Sequence, residues 1–235
     1  MIFQRTDGEA IAIVPVRAGS KGLPGKNLML LNGVPLYLRA VRQGILTVGN
    51  VVLSTDIREI EEADLPAGCT LCRRPAHLGA DDTAMAEVIE HVINDYDLKG
   101  KTIVLLQATS PLRSDHDIRR AIALFAEGEH DMVLSVTERD RGVLKYGTLE
   151  NNTFTNLRAG EFCFYNRQQL PPIFGPNGAV YVFNASRFLE AGGFPADRIG
   201  AIDMPENRSL DIDTLDDLVR AEQVLQDQKS ETDGE

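Results

Sequence analysis

The chain has 235 residues, of which 43% are hydrophobic and 25% charged, a composition that can bury the core of one medium-sized α/β domain. Its formal net charge of -11 argues against binding along nucleic acid, whose phosphate backbone attracts a broad basic surface. No apolar run approaches the roughly 20 residues that cross a bilayer, and the N-terminal MIFQRTDGEA lacks the apolar core of a signal peptide, so we expect a cytoplasmic protein that binds no membrane.

Apolar runs and helical periodicities alternate along the first 136 residues. The runs predict buried strands, and spacings of three and four residues predict amphipathic helices. In chain order the prediction is a strand over 9–16, a helix over 35–46, a strand over 51–55, a helix over 85–96, a strand over 101–106, a helix opened by a capping box at 114–117, and a strand over 132–136. This alternation favours an α/β fold with a mostly parallel sheet wrapped by helices.

The three cysteines are too few, and odd in number, for a disulfide framework. Cys69 and Cys72 form a CxxC pair, but no second pair accompanies it, and neither His77 nor His91 stands at a zinc-finger spacing. We therefore expect both cysteines in or beside a short buried strand, with a metal site as the alternative.

The alternation stops near Gly142. Residues 142–176 carry short β-prone pieces and Asn/Gly turns without a helical period, which predicts a protruding β-rich arm of the kind that often forms an oligomer contact. A strand over 178–183 and a helix capped at 214–217 follow, and the polar tail over 229–235 is expected to fray. No repeat or linker divides the chain, so 1–235 is predicted to be one domain that contains the arm.

The loop RAGSKGLPGKN, residues 17–27, concentrates three cations and three glycines directly after the first predicted strand. Loops in this position lie at the carboxyl edge of a parallel sheet, where α/β folds bind ligands. Glycines let backbone N–H groups approach an anion closely, and Arg17, Lys21 and Lys26 supply charge, so the loop is typical of a triphosphate site, with a solvated basic turn as the alternative. Its glycine spacing excludes both a Walker A sequence and a GxGxxG fingerprint.

Asp211 and Asp213 form a second candidate site. In an extended chain, residues two apart point the same way, so two carboxylates can converge on one divalent cation. The alternative is that Asp213 merely precedes a helix capped by Thr214, where acidic groups favour the positive helix end.

Two strand ends supply further candidates. Gln107 and Thr109 follow the strand over 101–106, where they can hydrogen-bond a hydroxylated ligand, although Thr109 could belong only to a turn. Tyr181 lies in the strand that follows the polar Asn177 and Gly178 and is placed beside the same cleft, although tyrosine in a strand is more often core packing.

Five segments, in this order, resemble the signature motifs of the acylneuraminate cytidylyltransferases, the CMP-sialic acid synthetase family. They are RAGSKGLPGKN, RPAHLGADDT, LLQATSPLR, RQQLPPIFGPNGAVY and SLDIDTLDDL, and the similarity extends over residues 10–226. The resemblance implies a Rossmann-like α/β fold and a homodimer in which the arm reaches over the partner's site. It also implies a reaction in which CTP is joined to the anomeric hydroxyl of a nine-carbon 2-keto acid sugar, first of all N-acetylneuraminate, with release of pyrophosphate.

The resemblance also carries roles onto individual residues. The phosphates and nucleotide would be held by Arg17, Ser20, Lys26 and Asn27, and Arg74 and Thr83 would help bind CTP. The sugar would be faced by Gln107, Thr109 and Tyr181, and Mg²⁺ would be held by Asp211 and Asp213. Near the neighbouring subunit's cleft, the acting residues would be Lys145 and Arg167. The expected catalytic residues are Arg17, Lys26, Asp211 and Asp213. The sugar hydroxyl would attack the α-phosphorus in line, and either an aspartate or a metal-bound water would take its proton.

Several alternatives remain open at this point. The sugar could be legionaminate, pseudaminate or 2-keto-3-deoxy-nonulosonate. The enzyme could instead transfer a nucleotide to a sugar phosphate. A non-enzymatic binding module is the third possibility, but it would be expected to lack the loop cations or the aspartate pair, and this chain has both.

Overall fold

The computed structural model describes residues 10–19, 22–80 and 82–232, so Ser20 and Lys21 of the glycine-rich loop lie outside the described residues. The strands are, in chain order, β1 (Ala10–Val16), β2 (Leu30–Leu31), β3 (Val34–Pro35), β4 (Val51–Thr55), β5 (Cys69–Arg73), β6 (Thr102–Leu106), β7 (Met132–Arg139), β8 (Gly147–Glu150), β9 (Thr153–Asn156), β10 (Ile173–Asn184) and β11 (Ile199–Asp203). The helices are α1 (Leu36–Thr47), α2 (Met85–Asp95), α3 (Asp115–Ala126), α4 (Ala185–Ala191) and α5 (Leu215–Thr232).

A seven-stranded sheet forms the centre of the fold, with strand order β11-β7-β10-β6-β1-β4-β5. Neighbouring strands are parallel except at β10, which runs antiparallel to both β6 and β7. The prediction of a mostly parallel α/β sheet is therefore confirmed. The reversed direction of β10 was not predicted, and it decides which of its residues reach the site.

Helices cover both faces of this sheet. Alternate residues of β1 point to opposite faces, so Val14 packs in a cluster with Val41 of α1 and Ile118 of α3, whereas Ile13 packs in a second cluster with Ile89 of α2. A third, smaller cluster holds α5 against the residues that follow the glycine-rich loop. The layered arrangement follows from the buried apolar stripes that the periodicities predict.

The start of α3 confirms the predicted capping box. The Ser114 hydroxyl accepts from the Asp117 backbone N–H at 3.2 Å, and the Asp117 carboxylate accepts from the Ser114 N–H at 2.9 Å. Arg208 adds two hydrogen bonds to the same fully buried carboxylate, at 2.9 and 3.0 Å. Burial by itself raises the pKa of Asp117, but the hydrogen bonds from Arg208 and Ser114 outweigh it and lower that pKa.

The CxxC pair lies on β5, as expected, but its side chains diverge. Cys69 packs against the cluster under α1, whereas Cys72 is buried in the cluster under α2, on the opposite face of the sheet. The Cys72 Sγ lies 3.8 Å from His91 Nδ1. Because residues three apart on a strand face opposite ways, the two thiols do not converge, and the alternative of a metal held by this pair is not supported.

The predicted arm, residues 142–176, is a single hairpin, β8–β9, embedded in short 3-10 turns. Its last residues belong to the central sheet, because β10 begins at Ile173 rather than at 178. Besides the two-residue strands β2 and β3, the elements α4 and β11 had not been predicted; they are short and lie in a segment of mixed polarity. None of the described helices combines the length and apolarity that a bilayer crossing requires.

Candidate active site

Polar residues from four strands meet at one edge of the central sheet. The parallel strands β1, β6 and β7 end there, so the residues that follow or close them lie side by side. Because β10 is antiparallel, its first half reaches the same edge, and Tyr181 pairs with Leu105 close to the end of β6. The topology therefore brings the loop, Gln107, Thr109 and Tyr181 to this one edge, as predicted.

The described part of the glycine-rich loop is held by side chains rather than left free in solvent. The Asn27 amide donates to the Arg17 carbonyl at 3.0 Å, and the Asp56 carboxylate accepts from the Ala18 N–H at 2.9 Å. Gly25 adopts a left-handed conformation, with φ of 67°, that glycine favours. These contacts argue against the alternative of a solvated basic turn.

A cavity of about 150 Å³, here called the loop cavity, opens beside this loop. It is lined by Pro15, Arg17, Gly19, Lys26, Asn27, Arg74, Met85, Gln107, Ala108 and Thr109. Three of these are cations, so the cavity suits a polyanion. The structure therefore brings together six of the predicted site residues within one lining.

Arg74 contributes a buried cation to the loop cavity. Its guanidinium donates to the carbonyls of Ser54 and Leu78, at 3.1 and 3.4 Å, while its Nε is buried without a hydrogen-bond partner among the described residues. Burial lowers the pKa of Arg74, and the nearby Asp56 carboxylate partly offsets that effect. A buried donor with no partner is costly unless a ligand or water satisfies it.

The Asp211–Asp213 segment packs against the end of β6. The Ile212 N–H donates to the Thr109 carbonyl at 2.8 Å, and the fully buried Ile212 side chain fixes the segment between its two aspartates. The Lys26 ammonium pairs with the Asp213 carboxylate at 2.9 Å, joining two motifs that lie 187 residues apart in the chain. The loop and the aspartate pair thus form one site.

Asp213 is not the cap of α5. The Thr214 hydroxyl accepts from the Asp217 N–H at 3.2 Å, and the Asp217 carboxylate accepts from the backbone N–H groups of Thr214 and Asp213. The capping is therefore reciprocal between Thr214 and Asp217. Thr214 thus caps the helix and Asp213 precedes it, as the structural alternative states, while the Asp213 carboxylate takes no part in the cap and pairs with Lys26.

Asp211 and Asp213 supply the kind of oxygen donors that a magnesium ion would need. Loss of water around Asp211 raises the pKa of its carboxyl, the Thr109 hydroxyl that donates to it opposes the rise, and the Asp213 charge adds to it. No group of three or more His, Cys, Asp or Glu side chains arranged for a metal occurs among the described residues. An ion here would complete its shell with water and phosphate oxygens, which is the ligand set that Mg²⁺ prefers over an all-protein cage.

A second cavity of about 480 Å³, here called the sheet-edge cavity, adjoins the first. It is lined by Gln107, Thr137, Arg139, Pro176, Asn177, Gly178, Tyr181, Glu206, Ser209, Leu210 and Asp211. Gln107 lines both cavities, so they meet at that side chain. Burial raises the pKa of Tyr181, and the Asp211 charge raises it further, which places the phenol close to that carboxylate.

Two buried polar residues that sequence reasoning had not singled out hold this edge in shape. Arg113 donates to the carbonyls of Gln107, Ser110 and Ala179, at 2.5, 2.9 and 3.3 Å, and burial lowers the pKa of its guanidinium. The Asn177 side chain accepts from the Ser135 hydroxyl at 2.6 Å.

The same Asn177 side chain accepts from the Ala179 N–H at 3.2 Å and donates to the Ser209 hydroxyl at 2.9 Å. Together with Ser135, these contacts tie β7 and β10 to the segment that precedes Asp211. Arg113 closes the segment SPLR, and Asn177 opens the segment NGAVY. The position of these polar residues beside apolar strands was the feature of the sequence that could have identified them.

Four predicted site residues are absent from the linings of both cavities: Asp213, which is joined to the loop through Lys26, and Thr83, Lys145 and Arg167. The Thr83 hydroxyl donates to the His77 carbonyl at 3.1 Å, and Lys145 lies in a 3-10 turn of the arm. Arg167 pairs with Asp140 at 2.8 Å. The roles assigned to Thr83, Lys145 and Arg167, like that of Ser20, stay predictions.

Arg167 lines a third and more open cavity of about 570 Å³, here called the outer cavity. Its other lining residues are Glu138, Arg139, Asp140, Arg141, Gln168 and Glu206. Arg139 and Glu206 line both this and the sheet-edge cavity, and neither had been predicted. The signal for Arg139 was its place at the end of an apolar strand, the same reasoning that identifies Gln107.

Comparison with known proteins gives an independent result. A family model described as cytidylyltransferase matches residues 11–189. The chain is 32% identical over 213 residues to the N-acylneuraminate cytidylyltransferase of Streptococcus agalactiae serotype V, a match that covers 89% of this chain and 51% of that protein. The chain thus spans about half the length of that relative.

A relative of similar length is the CMP-N,N'-diacetyllegionaminic acid synthase of Legionella pneumophila, 28% identical over 232 residues, with 92% of this chain and 96% of that protein covered. Among solved structures, the fold resembles a CMP:2-keto-3-deoxy-manno-octonic acid synthetase complexed with CTP, with a TM-score of 0.66. That match covers 94% of this chain and 99% of the other at 15% identity, so it concerns the fold.

Proposed function

The chain belongs to the cytidylyltransferase family, and we propose that it joins CTP to the anomeric hydroxyl of a nine-carbon 2-keto acid sugar, releasing pyrophosphate. The observation that carries this proposal is the meeting of two cavities at Gln107, one lined by cations and the other by hydroxyl, amide and carboxylate groups. A polyanion and a polyhydroxylated acceptor are the two ligands that such linings suit.

The cationic side of the site supports the nucleotide half of the reaction. Arg17, Lys26 and Arg74 line the loop cavity, where they would neutralise the triphosphate and the departing pyrophosphate. Lys26 is nearly buried and paired with Asp213, so its ammonium is already oriented toward the site. Arg74 is largely buried beside the loop cavity and supplies positive charge to it.

The acceptor side of the site supports the attack on the α-phosphorus. The sugar hydroxyl forms the new bond to phosphorus while the bond to the bridging oxygen of pyrophosphate breaks, and the site contributes mainly by holding the two reactants in line. Asp211 lines the sheet-edge cavity, whereas Asp213 does not. Of the two, Asp211 is therefore the carboxylate that we assign to receive the hydroxyl proton.

We propose Asp211 and Asp213 as the residues that would hold Mg²⁺. When bound, the ion would supply positive charge to the phosphate oxygens and to pyrophosphate as it leaves. The support is a pair of hard oxygen donors, two carboxylates close enough that the charge of Asp213 raises the pKa of Asp211.

N-acetylneuraminate stays our first choice of sugar, because the N-acylneuraminate relatives include the 32% match. Legionaminate is the second choice, favoured by a relative that this chain covers almost from end to end. Pseudaminate and 2-keto-3-deoxy-nonulosonate are the other two candidate sugars, and the assay described below includes them. The three free cysteines are consistent with a reducing compartment, so we propose that the reaction takes place in the cytoplasm.

We also propose a homodimer formed through the arm. Among the residues that the structure describes, eight of the thirteen exposed large apolar side chains lie between Val143 and Phe174, including Leu149 at 71% and Phe164 at 88% exposure. An apolar patch of this density is typical of a surface that a partner covers. A second copy is the proposed occupant, and Lys145 and Arg167 of the arm would then approach the partner's cavities.

One assay separates these possibilities. Pyrophosphate release is measured with each of four nucleoside triphosphates, crossed with a panel of nonulosonic acids and sugar 1-phosphates, with and without Mg²⁺. We expect release only with CTP, a nine-carbon keto acid and Mg²⁺. Release with a sugar 1-phosphate and no keto acid would support the other enzyme class, and no release from CTP with any acid would overturn the proposal.

A further inference from the structure

Arg139 occupies the junction between the sheet-edge cavity and the outer cavity. It is the last residue of β7 and lines both cavities. Strand ends at this edge of the sheet supply the other polar residues of the site, so Arg139 is placed by the same topology as Gln107.

The Arg139 guanidinium is unengaged, in contrast to the neighbouring arginines. Arg141 pairs with Glu138 at 2.6 Å, and Arg167 pairs with Asp140 at 2.8 Å. The guanidinium of Arg139 has no hydrogen-bond or ion-pair partner in the part of the chain that the structure describes. Five N–H donors therefore remain available for a ligand.

Gly175 of β10 allows the Arg139 side chain to lie against the neighbouring strand. A Cβ atom at position 175 would lie 3.2 Å from Arg139 Cγ and 3.4 Å from its Nε. Any larger side chain there would have to displace Arg139. The glycine thus helps to position the guanidinium between the two cavities.

The charges of the sheet-edge cavity show what Arg139 can bind. Among the described residues that line this cavity, Arg139 is the only cation, and Glu206 and Asp211 are both acidic. A carboxylate ligand that enters beside two acidic groups needs one positive partner, and the planar guanidinium can hold it through two parallel hydrogen bonds.

We propose that Arg139 binds the C1 carboxylate of the acceptor sugar within a single subunit, and so selects 2-keto acids over their neutral derivatives. The inference rests on the proposed function, because only that function brings a sugar acid to this cavity. The carboxylate carbon is bonded directly to the anomeric C2. Holding the carboxylate therefore restricts the direction of the C2 hydroxyl toward Asp211.

Calorimetric titration without turnover tests this role. N-acetylneuraminate, N,N'-diacetyllegionaminate and their methyl esters are titrated into the full chain saturated with CTP in the presence of a chelator. In Arg139→Gln we expect the affinity for the acids to fall roughly 10- to 100-fold, the effect of losing charge-assisted hydrogen bonds. The affinity for the esters should change less than about threefold, because they carry no charge for Arg139 to hold.

Three further variants sharpen the comparison. Arg139→Lys keeps the charge but loses the planar fork, so its loss should be intermediate. Gly175→Val should weaken acid binding by displacing Arg139 without removing it. Arg141→Gln is the matched control, since that arginine is already paired and does not line the sheet-edge cavity, and it should bind acids as the wild type does.

The inference and the proposed function can fail separately. If the wild type binds the acids but releases no pyrophosphate when Mg²⁺ is restored, the proposed reaction is wrong, and the acid-to-ester comparison still decides the role of Arg139. If Arg139→Gln binds the acids as tightly as the wild type, or loses acids and esters equally, the inference is overturned. Binding of neither acid by the wild type overturns both.

Discussion

Replacing Gly22 with alanine tests whether the glycine-rich loop and the aspartate segment form one rigid site. A Cβ atom at position 22 would lie 2.7 Å from the carbonyl oxygen of Asp213. Both groups belong to backbone that is anchored elsewhere, so neither can move aside as a flexible side chain would. The two segments must separate by about 0.7 Å to reach an ordinary contact of 3.4 Å.

The expected cost follows from that displacement. A misplacement of about 1 Å at a site of this kind can reduce the rate roughly 100-fold. A displacement of about 0.7 Å should therefore lower kcat/KM for CTP by about 25-fold. The measurement is the initial rate of pyrophosphate release at varied CTP, together with a melting curve that establishes whether the variant is folded.

Gly200→Ala is a matched control remote from the site. A Cβ atom there would meet the ring of His130 at 2.8 Å, a clash of similar size on β11. This variant should lose stability but keep kcat/KM for CTP unchanged. The reasoning is refuted if folded Gly22→Ala retains kcat/KM within about threefold of the wild type, or if both variants lose activity equally.

Three other changes have definite expected outcomes. Asn177→Ala removes the partner of three buried polar groups, so the free energy of unfolding in a denaturant titration should fall by about 3 kcal/mol, and a loss under about 1 kcal/mol would contradict the network. The lowered pKa of Asp117 means that its pair with Arg208 stabilises the fold fully above the unfolded pKa, about 3.9, and less as pH falls toward the folded pKa. The stability difference between the wild type and Asp117→Asn should therefore shrink between pH 6 and pH 3, and a constant difference would argue against the ion pair. Serine at both Leu149 and Phe164 should shift sedimentation toward a monomer with an unchanged circular dichroism spectrum, and a persistent dimer would place the interface elsewhere.

Local chemistry was sufficient to predict much of the fold. The strands over 51–55 and 101–106 were identified because continuous apolar runs of that length are buried on both faces of a parallel sheet. The capping residues Ser114 and Thr214 were recognisable because capping depends on neighbours three residues apart. In contrast, α4 and β11 are short elements without a clear period, and the only local signals for α4 were Asn184, which caps its start, and the left-handed Gly192 at its end.

The candidate site likewise has some features that the local sequence predicts and others that depend on the tertiary structure. The sequence alone determined the components: a glycine-rich basic loop with Arg17 and Lys26, a pair of carboxylates at 211 and 213, and polar strand ends. Only the tertiary structure decided how they combine, because strand order and direction are set by long-range pairing that no local pattern encodes. The antiparallel β10 brings Tyr181 to the site edge, the chain returns Asp213 to Lys26 across 187 residues, and the end of β7 places Arg139 between two cavities.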